Sequence, residues 1–143
     1  DGTDASHVEA VGRRYIRSKF QRKNAPFCYT ADGVPVFYRI PYFKLICAGK
    51  DGPRTVDLIR VQRIHWITPI IEGKPHSVAV CDVGEKRKYY INSLKYLIVL
   101  GYHRKRHEFQ LITAYRITEQ WEKERVRRDM RTCGEGKKKP VIL

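Results

Sequence analysis
The stretch EFQLITAYRI (Glu108–Ile117) decides how this chain is read. It is rich in β-branched and aromatic residues and reads as a strand. Strict alternation puts Phe109, Leu111, Thr113 and Tyr115 on one side, and Gln110, Ile112, Ala114 and Arg116 on the other. The first side passes from apolar to hydroxyl-bearing along its length. Such a strand can be anchored in a core at one end and carry chemistry at the other. Just ahead of it, Tyr102-His103-Arg104-Lys105-Arg106-His107 holds the densest positive charge in the sequence.

Working back from this stretch, three further segments have strand character: HSVAVCDV (His76–Val83), RKYYIN (Arg87–Asn92) and LKYLIVL (Leu94–Leu100). Short connections join all four, which predicts an antiparallel meander. Between Glu85 and Glu108 there is no acidic residue, while seven Lys/Arg and two His occur. After the strand, Glu119–Met130 predicts a final helix anchored on the sheet by Trp121, with its mixed charges facing solvent.

Ahead of the sheet, TVDLIRVQRIHWITPIIEG (Thr55–Gly73) has helical periodicity, with Leu58, Val61, Ile64 and Ile67 as the apolar stripe and Pro69 as its end or kink. Arg60 and Arg63 are three residues apart and so can clamp one phosphate. PVFYRIPYFKLI (Pro35–Ile46) reads as a short edge strand or irregular apolar packing, broken by Pro41. GKDGP (49–53) reads as a loop. Residues 4–23 predict a first helix, opened by a Ser6/Glu9 capping box, with Val8, Val11, Tyr15 and Phe20 toward the core. Its other side carries Arg13, Arg14, Arg17, Lys19, Arg22 and Lys23, a face that is either solvated or phosphate-contacting.

The 143 residues amount to one domain, and 42% hydrophobic residues suffice for a core. The expected division is a basic helix and linker over 1–33, a compact unit over 34–133 and a basic tail over 134–143. With 29 Lys+Arg against 15 Asp+Glu, the formal charge is +14. That balance points to a polyanionic partner, and RNA or DNA is the usual one. Cys28, Cys47, Cys81 and Cys133 show no CxxC or CxH spacing, which argues against zinc. Three lie in apolar runs and read as buried thiols of a reducing compartment. No apolar run is long enough to span a bilayer. The polar, acidic start reads as if cut from something longer.

The acids are few, scattered and flanked by basic residues, which speaks against two-metal hydrolysis. There is no G-x-S-x-G, P-loop or dinucleotide-binding glycine pattern. What remains is His, Arg, Lys, Tyr, Thr and one or two Glu. Cleavage of RNA by its own 2′-hydroxyl needs such groups: a base, an acid and cations for the phosphoryl oxygens. Imidazole suits the proton steps. Of the five histidines, His7 lies on a charged helix and reads as inert, which leaves His65, His76, His103 and His107.

RIHWITPIIEG (Arg63–Gly73) and KYLIVL…FQLITAYRI (Lys95–Ile117) together resemble the phage-associated branch of the Barnase–EndoU–Colicin–RelE superfamily of toxin ribonucleases. The matching residues are Arg63, Ile64, Trp66, Ile67, Glu72, Thr113, Ala114 and Tyr115, and the resemblance covers roughly Val34 to Met130. It implies an α+β fold with N-terminal helices packed on a four-stranded antiparallel sheet, followed by a C-terminal helix. It implies a metal-independent endoribonuclease without a cofactor, acting on RNA such as tRNA in a bacterial cytoplasm. It further implies an immunity or antitoxin protein as partner, and delivery as part of a larger toxin or phage protein. On this reading Thr113 and Tyr115 contact the scissile phosphate on the open sheet face, and Arg63 and Arg87 stabilise it. His65, His76 or His107 moves protons, with Glu72 as second proton-transfer group or orienter. Arg60, Lys86, Arg87, Lys88, Arg104, Lys105 and Arg106 bind RNA. The rival expectations are a non-catalytic basic nucleic-acid-binding module and a phage structural or assembly protein.

Overall fold
The computed structural model describes residues 2–48, 55–75, 77–134 and 141–142. The loop expected at 49–53 therefore lies outside the described residues, as does His76. In chain order the elements are α1 (Gly2–Tyr15), β1 (Cys28–Tyr29), β2 (Pro35–Phe37), α2 (Tyr42–Ile46), β3 (Cys47–Ala48), β4 (Thr55–Val56), α3 (Leu58–Gln62), α4 (Ile67–Ile71), β5 (Ala79–Val83), β6 (Lys86–Ile91), β7 (Tyr96–His103), β8 (Glu108–Arg116), α5 (Gln120–Gly134) and β9 (Val141–Ile142). The class is α+β, as the sequence leads one to expect.

The expected meander is present as β5–β6–β7–β8, all antiparallel. The sheet is larger than four strands, however, and mixed. Its order is β1-β2-β8-β7-β6-β5-β9, and β2 runs parallel to β8. Pro35–Ile46 is thus no edge strand: Pro35–Phe37 is interior, and Pro41 precedes the first turn of α2. β2 pairs with β8 through only Val36 and Phe37, so Pro35 owes that ladder no amide. β8 continues past that short pairing, so its edge from Leu111 onward is open to the helices.

The first helix is also different from its expected form. It begins at Gly2, which leaves Ser6 in its interior, and the Glu9 carboxylate accepts from the Tyr42 hydroxyl (3.1 Å) rather than closing a capping box. After Tyr15 the chain makes one π-helical turn, Ile16–Phe20, with Gln21 N–H donating to Ile16 O at 2.9 Å. This turn sends both Ile16 and Phe20 into the core. Gly12 allows α1 to approach closely: a Cβ there would lie 3.0 Å from Ile46 Cδ1 and 3.2 Å from Val61 Cγ2. Val11 turns outward instead.

Thr55–Gly73 is not one helix. Thr55 and Val56 pair with β3, and Asp57 then caps α3 by accepting from the amides of Ile59 (2.9 Å) and Arg60 (3.2 Å). Arg63 leaves helical geometry, a 3₁₀ turn covers Ile64–Trp66, and α4 follows with Pro69 inside its short span. The breaks fold an amphipathic sequence over the sheet, burying Val61, Ile64, Ile67, Ile70 and Ile71 while Leu58 stays exposed.

Two cores result, one on each face of the sheet. The larger joins Ile16, Phe20, Ile46, Ile64 and Ile67 to Tyr89, Ile98, Leu100, Phe109, Leu111 and Ala114. The smaller lies under α5 and holds Val126 against Tyr90, Leu97, Val99 and Ile117. Trp121 does not anchor α5; it is 57% exposed, and Val126 is the residue that inserts. Lys88 Nζ to Asp129 Oδ2 (2.7 Å) and a Cys81–Cys133 disulfide fix the same helix. The expectation of buried thiols therefore fails for Cys81, which is cross-linked to Cys133. Residues 81 and 133 are 52 apart in sequence, and only the packing of α5 on β5 brings their Cα atoms to 6.1 Å. Cys28 and Cys47 are buried thiols.

Candidate functional site
The pleat of β8 decides which of its side chains meet. Val99 is opposite Thr113, yet Leu100 is opposite Leu111, so Ile112 is an extra residue in a β-bulge. One inserted residue reverses the facing of everything beyond it. Phe109 and Leu111 enter the large core, whereas Tyr115 joins the α5 side. Strict alternation therefore misplaces Thr113 and Tyr115: they do not share a face with Phe109 and Leu111. Gly101 makes room for the bulge, since a Cβ there would sit 2.9 Å from Ile112 Cδ1. The expected open sheet face is thus partly covered, because α5 lies over the part that carries Tyr115.

Tyr115 is the centre of a compact polar group. Its hydroxyl donates to Glu122 Oε2 of α5. Arg125 Nη2 lies 3.8 Å from the same oxygen. From the open edge of β8, the Arg60 guanidinium reaches over the Tyr115 ring at 5.1 Å. Burial and then the Glu122 carboxylate raise the Tyr115 pKa, with Arg125 and Arg60 acting in the opposite sense. The phenol therefore stays protonated at neutral pH. It can give up a proton only together with a partner that takes one.

Arg60 also donates to Cys47 O at 2.9 Å and lies 3.9 Å from Asp57. Arg63 stacks on Trp66 at 4.8 Å, and its carbonyl accepts from the Tyr96 hydroxyl at 3.4 Å. Burial raises the Tyr96 pKa, and the charges of Arg63 and Arg60 act in the opposite sense. Arg63 Nη1 is buried without a hydrogen-bond partner among the described residues. A donor in that state is one that an anionic oxygen can satisfy.

Other expected members lie elsewhere. Glu72 pairs with Lys74 at 3.2 Å and helps burial push the Cys28 thiol up to about 12. Glu72 ends α4, which packs on β1, and β1 is aligned through Val36 with Phe109, toward the opposite end of β8 from Tyr115. His107 closes the β7–β8 turn at φ 51° with Nδ1 3.3 Å from the Tyr102 hydroxyl, about 25 Å from Tyr115. His65 borders an apolar groove of about 340 Å³ between α1 and α3, together with His7, Val11 and Leu58.

Arg87 is committed to structure. It holds Asp82 (2.7 and 3.1 Å) and Asp32 (2.8 and 3.2 Å) and lies over Phe109 at 4.7 Å, with its side chain only 14% exposed. Lys88 is equally committed to Asp129. Lys86, Arg104, Lys105 and Arg106 are exposed, and Arg104 and Arg106 lie near Glu85 (3.5 Å) and Glu108 (3.8 Å).

The structure thus brings Tyr115 to Arg60 but supplies a different carboxylate. Glu122 and Arg125 escape the sequence reading because nothing in their helix separates them from Glu119, Glu124 or Arg128. Only the seven-residue return from Tyr115 through Ile117 selects them. The chain matches no protein-family model, and no curated protein and no solved structure is found to be similar to it.

Proposed function
We propose that this chain is a metal-independent endoribonuclease domain of the toxin type, cleaving RNA by attack of a ribose 2′-hydroxyl on the adjacent phosphodiester. The observation that carries this reading is the Tyr115–Glu122 hydrogen bond set between Arg60 and Arg125 at the open edge of β8. Glu122 takes the proton of the 2′-hydroxyl as its oxygen bonds to phosphorus. The bond from phosphorus to the 5′-oxygen breaks, and Tyr115 protonates that oxygen. The proton on Glu122 then returns to the Tyr115 oxygen along their hydrogen bond, restoring both groups. The products are a 2′,3′-cyclic phosphate and a 5′-hydroxyl. Arg60, Arg63 and Arg125 compensate the charge that builds on the phosphoryl oxygens. The net charge of +14 draws the polyanion in.

The test is incubation of the purified protein with total RNA in the presence of EDTA. Discrete fragments ending in cyclic phosphate support the proposal, and their loss in Glu122→Gln and Tyr115→Phe ties it to this pair. RNA that is retarded on a gel but intact rejects catalysis in favour of a nucleic-acid-binding module, for which the exposed cations suffice.

A further inference from the structure
The sequence reading assigns Trp121 to the core, and the structure places it outside, 57% exposed in the first turn of α5. An isolated leucine at the surface is ordinary, but a half-bare indole on a charged helix needs an explanation. Its surroundings are specific. Arg125, one turn further on, lies with its Cζ 5.4 Å from the Trp121 ring, and its own side chain is 53% exposed. The same guanidinium reaches Glu122, which holds the Tyr115 hydroxyl. Contacts therefore run without interruption from the indole to the proton-transfer pair.

We propose that Trp121 and Arg125 form a stacking platform for one unpaired nucleobase beside the scissile phosphate, which makes single-stranded RNA the substrate class. This rests on the ribonuclease reading for its location but not for its test. The exposed part of the indole offers a base a flat apolar surface, and Arg125 offers cationic charge to the phosphate attached to it. A base inside a duplex is already stacked on both faces and cannot use this surface. Stacking tolerates any base, so the platform selects for lack of pairing and not for sequence.

Binding separates this inference from catalysis. The probe is a fluorescein-labelled single-stranded 2′-O-methyl RNA, which has no attacking hydroxyl, together with the duplex of the same sequence, both followed by anisotropy. Trp121→Ala is expected to weaken single-strand binding roughly tenfold. Trp121→Phe retains most of it, and duplex binding is unchanged in both. Because the ring is exposed, circular dichroism of the variants should match the parent. Equal loss for single strand and duplex overturns the proposal, as does unaltered binding by Trp121→Ala or absence of binding to either RNA. Self-association on sedimentation that Trp121→Ala abolishes also overturns it, because the ring is then a protein contact. Selective single-strand binding through Trp121 with no cleavage of unmodified RNA leaves this inference standing and removes the nuclease reading.

Discussion

The two ends of β8 carry the same ingredients in different states. At the hairpin end Glu108 is 6% exposed, held by Arg39 Nη1 at 2.8 Å and approached by Arg106 at 3.8 Å. At the other end Glu122 is held by a phenol and approached by Arg125 at 3.8 Å. A guanidinium hydrogen-bonded to a carboxylate neutralises it and has no proton to exchange near neutral pH. A phenol on a carboxylate leaves a proton that can be passed and returned. Charge density alone therefore does not separate the two ends. The basic loop is the more visible in the sequence, yet the proposed proton transfer lies at the end with fewer cations.

The most decisive way to break this comparison is to disable each carboxylate in turn. Glu122→Gln or Tyr115→Phe should lower the initial rate of RNA cleavage by about 10²–10⁴-fold, the range for losing a proton-transfer group. Glu108→Gln should leave the rate within a few-fold while lowering the melting temperature. Comparable rate losses at both ends would remove the distinction.

How α5 is held comes next in size. The Cys81–Cys133 disulfide, Val126 and the Lys88–Asp129 pair all seat the helix that carries Glu122, whereas the hairpin end has no cross-link. Cys133→Ser should cost roughly 2–4 kcal/mol, read as a lowered denaturation midpoint. If the cross-link matters to the candidate site, cleavage should fall at temperatures below that midpoint. An unchanged midpoint would show that packing alone seats α5.

The legible parts of this molecule are those governed by local pattern. The meander strands, the basic hairpin and the final helix are readable from alternation and turn residues within a few positions of each other. Parallel pairing of β2 with β8 is not, because Val36 and Phe109 are far apart in sequence and two paired residues leave no pattern. The bulge at Ile112 is equally hidden. Nothing in LITAY marks an extra residue, and missing it turns Thr113 and Tyr115 to the wrong face. Thr55–Gly73 keeps a continuous apolar period, so the break at Arg63 is set by tertiary packing and not by a breaker residue. Arg87 sits in the run without acids that suggests phosphate binding, but its carboxylates arrive from Asp32 and Asp82 on other segments. Local charge counts cannot see such partners.

Arg87 gives a pH signature for a part of the fold remote from Tyr115. Hydrogen bonds from Arg87 are the main cause holding the Asp32 carboxyl down at about 2. A depressed carboxylate pKa contributes stability that is present above the unfolded value, near 3.8, and is lost as the pH falls through about 2. The melting temperature of the parent should drop across this window. The Asp32→Asn variant should start lower and fall less steeply, and the effect should be modest because Asp32 is 56% exposed on its side chain. Parallel curves for the two proteins would mean that Arg87 draws its stability from Asp82 and Phe109 instead.

The smallest effect belongs to the hairpin that dominates the sequence. Lys105 is exposed at its tip, where Arg104 and Arg106 also project. An exposed cation contributes to RNA attraction by releasing counterions, so its removal acts on encounter and on salt dependence. Lys105→Ala should raise KM by less than about threefold at moderate salt and leave kcat unchanged, with a log–log salt slope shallower by up to about one unit. Arg60→Ala should do the reverse, lowering kcat with a smaller effect on the slope, because Arg60 is 17% exposed and lies against Tyr115. The comparison of the two strand ends thus becomes a kinetic one. A fall in kcat for Lys105→Ala would place the hairpin in the reaction and reopen the role of His107, whose ring nitrogen lies beside Tyr102 at that end.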